Sequence, residues 1–106
     1  MVEKLEELQK TALKNNIPII QKDGLKFIQN YIKENNVSRV LEIGSAIGYS
    51  AIAFALTNND IKITTLERDK DRYNEALNNI KRFNLDNQIT IYNIDAFDYE
   101  DNRKYD

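Results

Sequence analysis

The chain has 106 residues, 42% hydrophobic and 30% charged, with 15 basic against 17 acidic side chains. That length holds one small domain with a small core, and the charge balance excludes a global positive field for nucleic acid or an anionic membrane. With neither cysteine nor histidine, disulfides, thiolate nucleophiles, zinc sites and Ser-His or Cys-His catalysis are excluded, and only oxygen ligands could hold a metal.

The N-terminus, Met1-Val2-Glu3-Lys4-Leu5-Glu6-Glu7, is too acidic for a signal peptide, and no stretch reaches the roughly 18 apolar residues of a membrane span. A cytoplasmic protein with no membrane partner is expected. Leu5, Leu8, Ala12 and Leu13 recur at helical spacing, predicting an amphipathic helix over 3–14 that Asn15-Asn16-Ile17-Pro18 stops. Such a stripe is read as core packing in preference to a partner-binding face. A second helix starts at Asp23-Gly24, with Asp23 as N-cap and Leu25, Ile28, Tyr31 and Ile32 as its buried stripe, and ends at Asn35-Asn36.

Val37 to Ile43 reads as a strand buried on both faces. Gly44-Ser45-Ala46-Ile47-Gly48 is a tight turn, and Tyr49 to Leu56, rich in Ala and Ile with little charge, is a helix that must be largely buried. Ile61 to Leu66 forms the second strand, ending on Glu67, and Asp69 opens a helix with Tyr73, Ala76, Leu77, Ile80 and Phe83 inward. Lys70, Arg72, Lys81 and Arg82 lie on its outer, solvated face. Gln88 to Ile94 is the third strand, ending at Asp95, and Ala96 to Asp106 is a loop or short exposed turn.

No repeat or linker divides the chain, so residues 1–106 form one domain: a helical segment, 1–36, and a strand-helix repeat, 37–106. The expected fold is α/β, with parallel strands in the order 3-2-1 and a ligand crevice at their carboxyl ends. Gly44, Glu67 and Asp95 all fall at those ends.

Gly44 lets the backbone turn sharply and approach a ligand, and Gly48 lets the next helix pack close. A phosphate-binding loop needs four residues between its glycines and then Lys, whereas three intervene here and Tyr49 follows. The dinucleotide pattern Gly-x-Gly-x-x-Gly also fails, with Ala46 at a middle position. Glu67 stands about twenty residues past the turn, where a carboxylate can accept from two ribose hydroxyls. Asp95, beside the same crevice, can accept from an adenine amino group, or can be a turn aspartate. Together the three strand ends indicate an adenosine-containing ligand.

Val40-Leu41-Glu42-Ile43-Gly44-Ser45-Ala46-Ile47-Gly48-Tyr49-Ser50-Ala51-Ile52, with Ile63-Thr64-Thr65-Leu66-Glu67-Arg68-Asp69 and Tyr92-Asn93-Ile94-Asp95-Ala96, resembles the class I S-adenosylmethionine-dependent methyltransferases. The closest likeness is to the O-methyltransferase branch of the catechol and caffeoyl-CoA enzymes, including bacterial members that methylate 5-hydroxyuridine in tRNA. The resemblance implies the N-terminal half of a Rossmann-like fold and S-adenosylmethionine as cofactor. It implies that backbone groups from Gly44 through Ser45 to Ala46 hold the methionine part, with Glu42 orienting the loop and Ser50 reaching the carboxylate. The same resemblance implies that Glu67 binds the ribose, Arg68 flanks the adenine, and Asp95 with the backbone of Ala96 reads its edge, and that the methyl acceptor is a hydroxyl of a small molecule or a tRNA base.

Members of that family continue past a Tyr-Asp pair into a fourth strand whose Asp binds a divalent metal, Mg, and substrate. This sequence ends at Tyr105-Asp106, so the catalytic residues and the metal ligands are expected outside it, in a truncated chain inactive by itself. The first strand would then be an open edge needing a cover, from a homodimer or another partner. Two other readings share the strand-turn-helix: an NAD-binding oxidoreductase domain, and a non-catalytic binding or oligomerisation module.

Overall fold

A computed structural model describes residues 2–15, 17, 19–99 and 105. In chain order the elements are α1 (Val2–Lys14), α2 (Lys22–Glu34), β1 (Arg39–Ile43), α3 (Tyr49–Ala55), β2 (Lys62–Leu66), α4 (Lys70–Arg82), β3 (Ile89–Tyr92) and a 3-10 turn (Ala96–Asp98). The three strands form one parallel sheet in the order β1-β2-β3, the expected 3-2-1 arrangement read from the other edge. Val40 lies opposite Ile63, and Ile63 opposite Ile89.

The core is built around α3. Its Ala51, Ile52, Ala53 and Ala55 are almost fully buried, as a helix apolar on every side requires. α1 and α2 pack on it, and it packs in turn on β2 and β3. Leu8 and Ala12 of α1, Leu25 and Ile32 of α2, Ala76 and Ile80 of α4, and Ile63, Ile89 and Ile91 of the sheet join it in one apolar cluster. β3 alternates between buried Ile89 and Ile91 and exposed Thr90 and Tyr92, so the helices cover one face of the sheet there.

Several boundaries and faces differ from the sequence reading. Asp23 is not the N-cap of α2: that position is Gln21, without a side-chain cap, and Asp23 lies in the first turn, where its charge suits the helix dipole. Tyr31 is 53% exposed, so the inward stripe of α2 is Leu25, Ile28 and Ile32. β1 is shorter than Val37–Ile43 and is not buried on both faces, with Val40 and Leu41 half-buried and Ile43 68% exposed. It is one of the two edge strands among the described residues, which leaves it no neighbour on one side. β3 stops at Tyr92 because Asn93 leaves the ladder to donate to the carbonyls of Glu67 and Arg68. Asn16, Pro18 and Asp106, named in the expected helix stop and chain end, lie outside the described residues.

The start of α4 is as expected. Asp69 caps α4 by accepting from the Arg72 N–H at 3.1 Å. Asn36 and Asn84, just past α2 and α4, take left-handed backbone angles (φ 52° and 56°) of the kind that ends helices.

Candidate functional site

The turn between β1 and α3 is shaped by three consecutive demands on its backbone. Gly44 and Gly48 both sit at φ 87°, where an L side chain is strained, and Ala46 between them also takes a left-handed angle, φ 50°. A Cβ on Gly48 would meet Ala76 at ordinary contact distance, so the turn lies directly on α4. Asn79 of α4 locks it there by donating to the Ile47 carbonyl at 2.9 Å.

The N–H groups of Gly44, Ser45, Ala46 and Gly48 are engaged within the protein. Those of Gly44 and Ser45 both donate to the Leu66 carbonyl, at 2.8 and 3.0 Å, and that of Gly48 donates to Ser45. Ala46 donates to Glu67 Oε1 at 2.8 Å, and Glu67 Oε2 accepts from the Asp69 N–H at 3.0 Å. Glu67, buried at the end of β2, therefore ties the turn to the start of α4. Each of its oxygens keeps a second lone pair for a ligand hydroxyl.

Two cavities open on either side of Gly44. The first, about 470 Å³, lies between the turn and the segment before α2, with Ile19, Ile20 and Ile28 as an apolar wall and Glu42, Ser45 and Ser50 as polar lining. The second, about 350 Å³, is bounded by Ile43, Glu67, Arg68, Asp95, Ala96 and Phe97. Every sequence-predicted site residue except Gly48 lines one of the two cavities, and Gly48 lies beneath them against α4.

Glu42 projects from β1 into a cluster of hydroxyls. Thr65 donates to its Oε1 at 2.7 Å and Ser50 donates to its Oε2, while Ser45 Oγ lies 2.5 Å from Thr65 Oγ1. Burial pushes the Glu42 pKa up from the ordinary 4.5, against the hydrogen bonds from Ser50 and Thr65 that pull it down, and the negative charge of Glu67 adds to the rise. At the other cavity Asp95 Oδ1 accepts from the Phe97 N–H at 3.0 Å, capping the 3-10 turn, and its Oδ2 lies 3.9 Å from Arg68. That ion pair is exposed and contributes little by itself. Among the described residues no three acids come together as a metal site.

Sequence reasoning missed three residues that hold this arrangement and a fourth that only borders it. Thr65, fully buried, links Glu42 to Ser45; Asn79 holds the turn, and Asn93 holds the end of β2. Phe97, 98% exposed at the lip of the second cavity, is the fourth. The one available signal was polar residues in otherwise apolar strands and helix stripes, which implies a buried partner.

A family model described as O-methyltransferase matches residues 1–105. Among solved structures, a Staphylococcus aureus protein with a provisional caffeoyl-CoA O-methyltransferase assignment is 39% identical with a TM-score of 0.81, over 83% of this chain and 42% of that one. An O-methyltransferase from Bacillus cereus in complex with SAH is 28% identical with a TM-score of 0.74, over 85% and 42%. The caffeoyl-CoA O-methyltransferase of Medicago sativa is 32% identical over 90 residues, 82% of this chain and 36% of its own length. The chain thus spans about two fifths of the length of these relatives.

Proposed function

The chain belongs to the O-methyltransferase family, and we propose that it is the S-adenosylmethionine-binding part of an enzyme that methylates a hydroxyl of a small molecule. The observation that carries this reading is the donor inventory of the turn. A phosphate-binding loop offers converging backbone N–H groups, whereas here those of Gly44, Ser45, Ala46 and Gly48 are already engaged. What Glu42 and these four residues have left to offer is acceptors, which suit a cationic amino-acid head better than a pyrophosphate.

In this reading the first cavity takes the methionine end, with Glu42 and the carbonyls of Gly44, Ser45 and Ala46 toward its ammonium and Ser50 toward its carboxylate. Residues 1–36 close that side through Ile19, Ile20 and Ile28. The second cavity takes the adenosine. Glu67 accepts from the ribose hydroxyls with its remaining lone pairs, Arg68 flanks the base, and Asp95 with the backbone of Ala96 meets the adenine edge. Bound S-adenosylmethionine supplies an electrophilic methyl group on a sulfonium. The work of this chain is to orient it and exclude water from its apolar side. The unpaired edge of β1 would be covered by a further strand, from a longer polypeptide or a second copy. A hydroxyl of a tRNA base as acceptor is the second substrate reading, and it rests on the resemblance drawn from the sequence.

Calorimetric titration tests the assignment. S-adenosylhomocysteine is expected to bind and NADH is not, and the 2′-deoxy analogue should bind about tenfold more weakly for the lost hydrogen bond to Glu67. NADH binding without S-adenosylhomocysteine binding would reverse the reading to a dinucleotide domain. Equal affinity for the two nucleoside ligands would remove the ribose role of Glu67.

A further inference from the structure

The polar side chains that line the first cavity are Glu42, Ser45, Tyr49 and Ser50. In the cofactor reading Glu42 faces an ammonium, which favours its ionised form. An ionised Glu42 only accepts, and it takes the protons of Thr65 and Ser50. A hydroxyl has one proton, so Thr65 in turn accepts from Ser45, and both serines are committed as donors within the protein.

Tyr49 is not. It is the first residue of α3 and only 5% exposed. Burial and the negative charge of Glu6 in α1 act on its phenol, which makes no hydrogen bond to a described residue. Among the described residues every fully enclosed side-chain nitrogen or oxygen has a partner, so an unpartnered hydroxyl on so buried a residue faces open space. The open space that Tyr49 borders is the first cavity. Both influences push the phenol pKa above the ordinary 10.0, so at neutral pH it keeps its proton. Of the side chains lining the cavity, Tyr49 alone has a proton left to give.

Resting on the cofactor reading above, we propose that the Tyr49 phenol donates to the carboxylate of the ligand's amino-acid head and makes the site selective for a ligand that carries one. The head is a zwitterion. Glu42 and the turn carbonyls accept from its ammonium, and no Lys or Arg lines the cavity to hold its negative end. A neutral phenol suits that end, because it meets the carboxylate without repelling the adjacent ammonium. Ser50, the next residue, flanks the carboxylate, but its proton is held by Glu42. Hydrogen bonds to a charged acceptor are the stronger kind, so removing the carboxylate and removing the phenol should each lose the same sizeable interaction.

The test is a calorimetric comparison of S-adenosylhomocysteine with its decarboxylated analogue, which keeps the ammonium and the adenosine, on the full chain and on Tyr49→Phe. The parent should prefer S-adenosylhomocysteine by about tenfold or more, and Tyr49→Phe should bind the two alike. A preference that survives in Tyr49→Phe overturns the proposal even where both affinities fall, since a merely structural role weakens both ligands equally. A parent without the preference overturns it too, because the carboxylate would then go unread. If S-adenosylhomocysteine fails to bind the parent at all, the cofactor reading is what is overturned, and the proposal falls with it.

Discussion

Ala46 holds a backbone angle that glycine would adopt without strain. At φ 50° an L residue carries a cost of about 1–2 kcal/mol, against a smaller gain of about 0.4–1 kcal/mol from the stiffer unfolded chain. Ala46→Gly should therefore stabilise the protein by about 1 kcal/mol or less, read as a higher urea midpoint; a lower midpoint would mean that the Ala46 methyl, which is buried, contributes packing that outweighs the strain. Glu42 makes the opposite kind of prediction. Its folded pKa lies above the ordinary 4.5 because burial disfavours the charge. Between 4.5 and that raised midpoint the folded state holds more protons than the unfolded, so its contribution to stability falls as pH rises through the window. Glu42→Gln removes this titration. The stability difference, variant minus parent, should grow from about pH 4.5 upward, and a difference independent of pH would contradict the burial argument.

Among the elements, α3 was the easiest to read, because Ala and Ile on every side leave no solvent face to assign. β1 was misjudged for a physical reason: Val40, Leu41 and Ile43 state that a strand is apolar but not that a neighbouring strand exists on each side. The amides that fasten the elements were not legible, since their partners lie far along the chain. Asn79 reaches 32 residues back to Ile47, and Gln88 reaches the carbonyls of Ala55, Asn58 and Ile61 at 3.3, 2.8 and 3.2 Å. Gln88, buried at the start of β3, thereby closes the end of α3 and the entry to β2 with one side chain. Gln88→Leu keeps much of the volume and leaves those carbonyls without that donor, so it should cost about 2 kcal/mol in urea unfolding. A loss below about 0.5 kcal/mol would mean that water serves them equally well. The strand-end acids were readable because their spacing is set by the length of a strand and a helix, whereas Thr65 carries no such spacing signal.

At the scale of the whole molecule, one layer of helices lies on a three-stranded sheet, and the two cavities meet at the carboxyl ends of its strands across Gly44. No helix among the described residues is long and apolar enough to cross a membrane. The order of the strands and the family were both legible in the sequence. The division of the site into two cavities was not, because it depends on how the segment before α2 folds back over the turn. The central claim is that a single adenosine-bearing ligand spans both cavities. Amide NMR of the full chain titrated with S-adenosylhomocysteine tests it most directly. The account predicts simultaneous shifts, with one midpoint, at Gly44, Ser45 and Ser50 around the first cavity and at Arg68, Asp95, Ala96 and Phe97 around the second. Shifts confined to one cavity, or two separate midpoints, would contradict it.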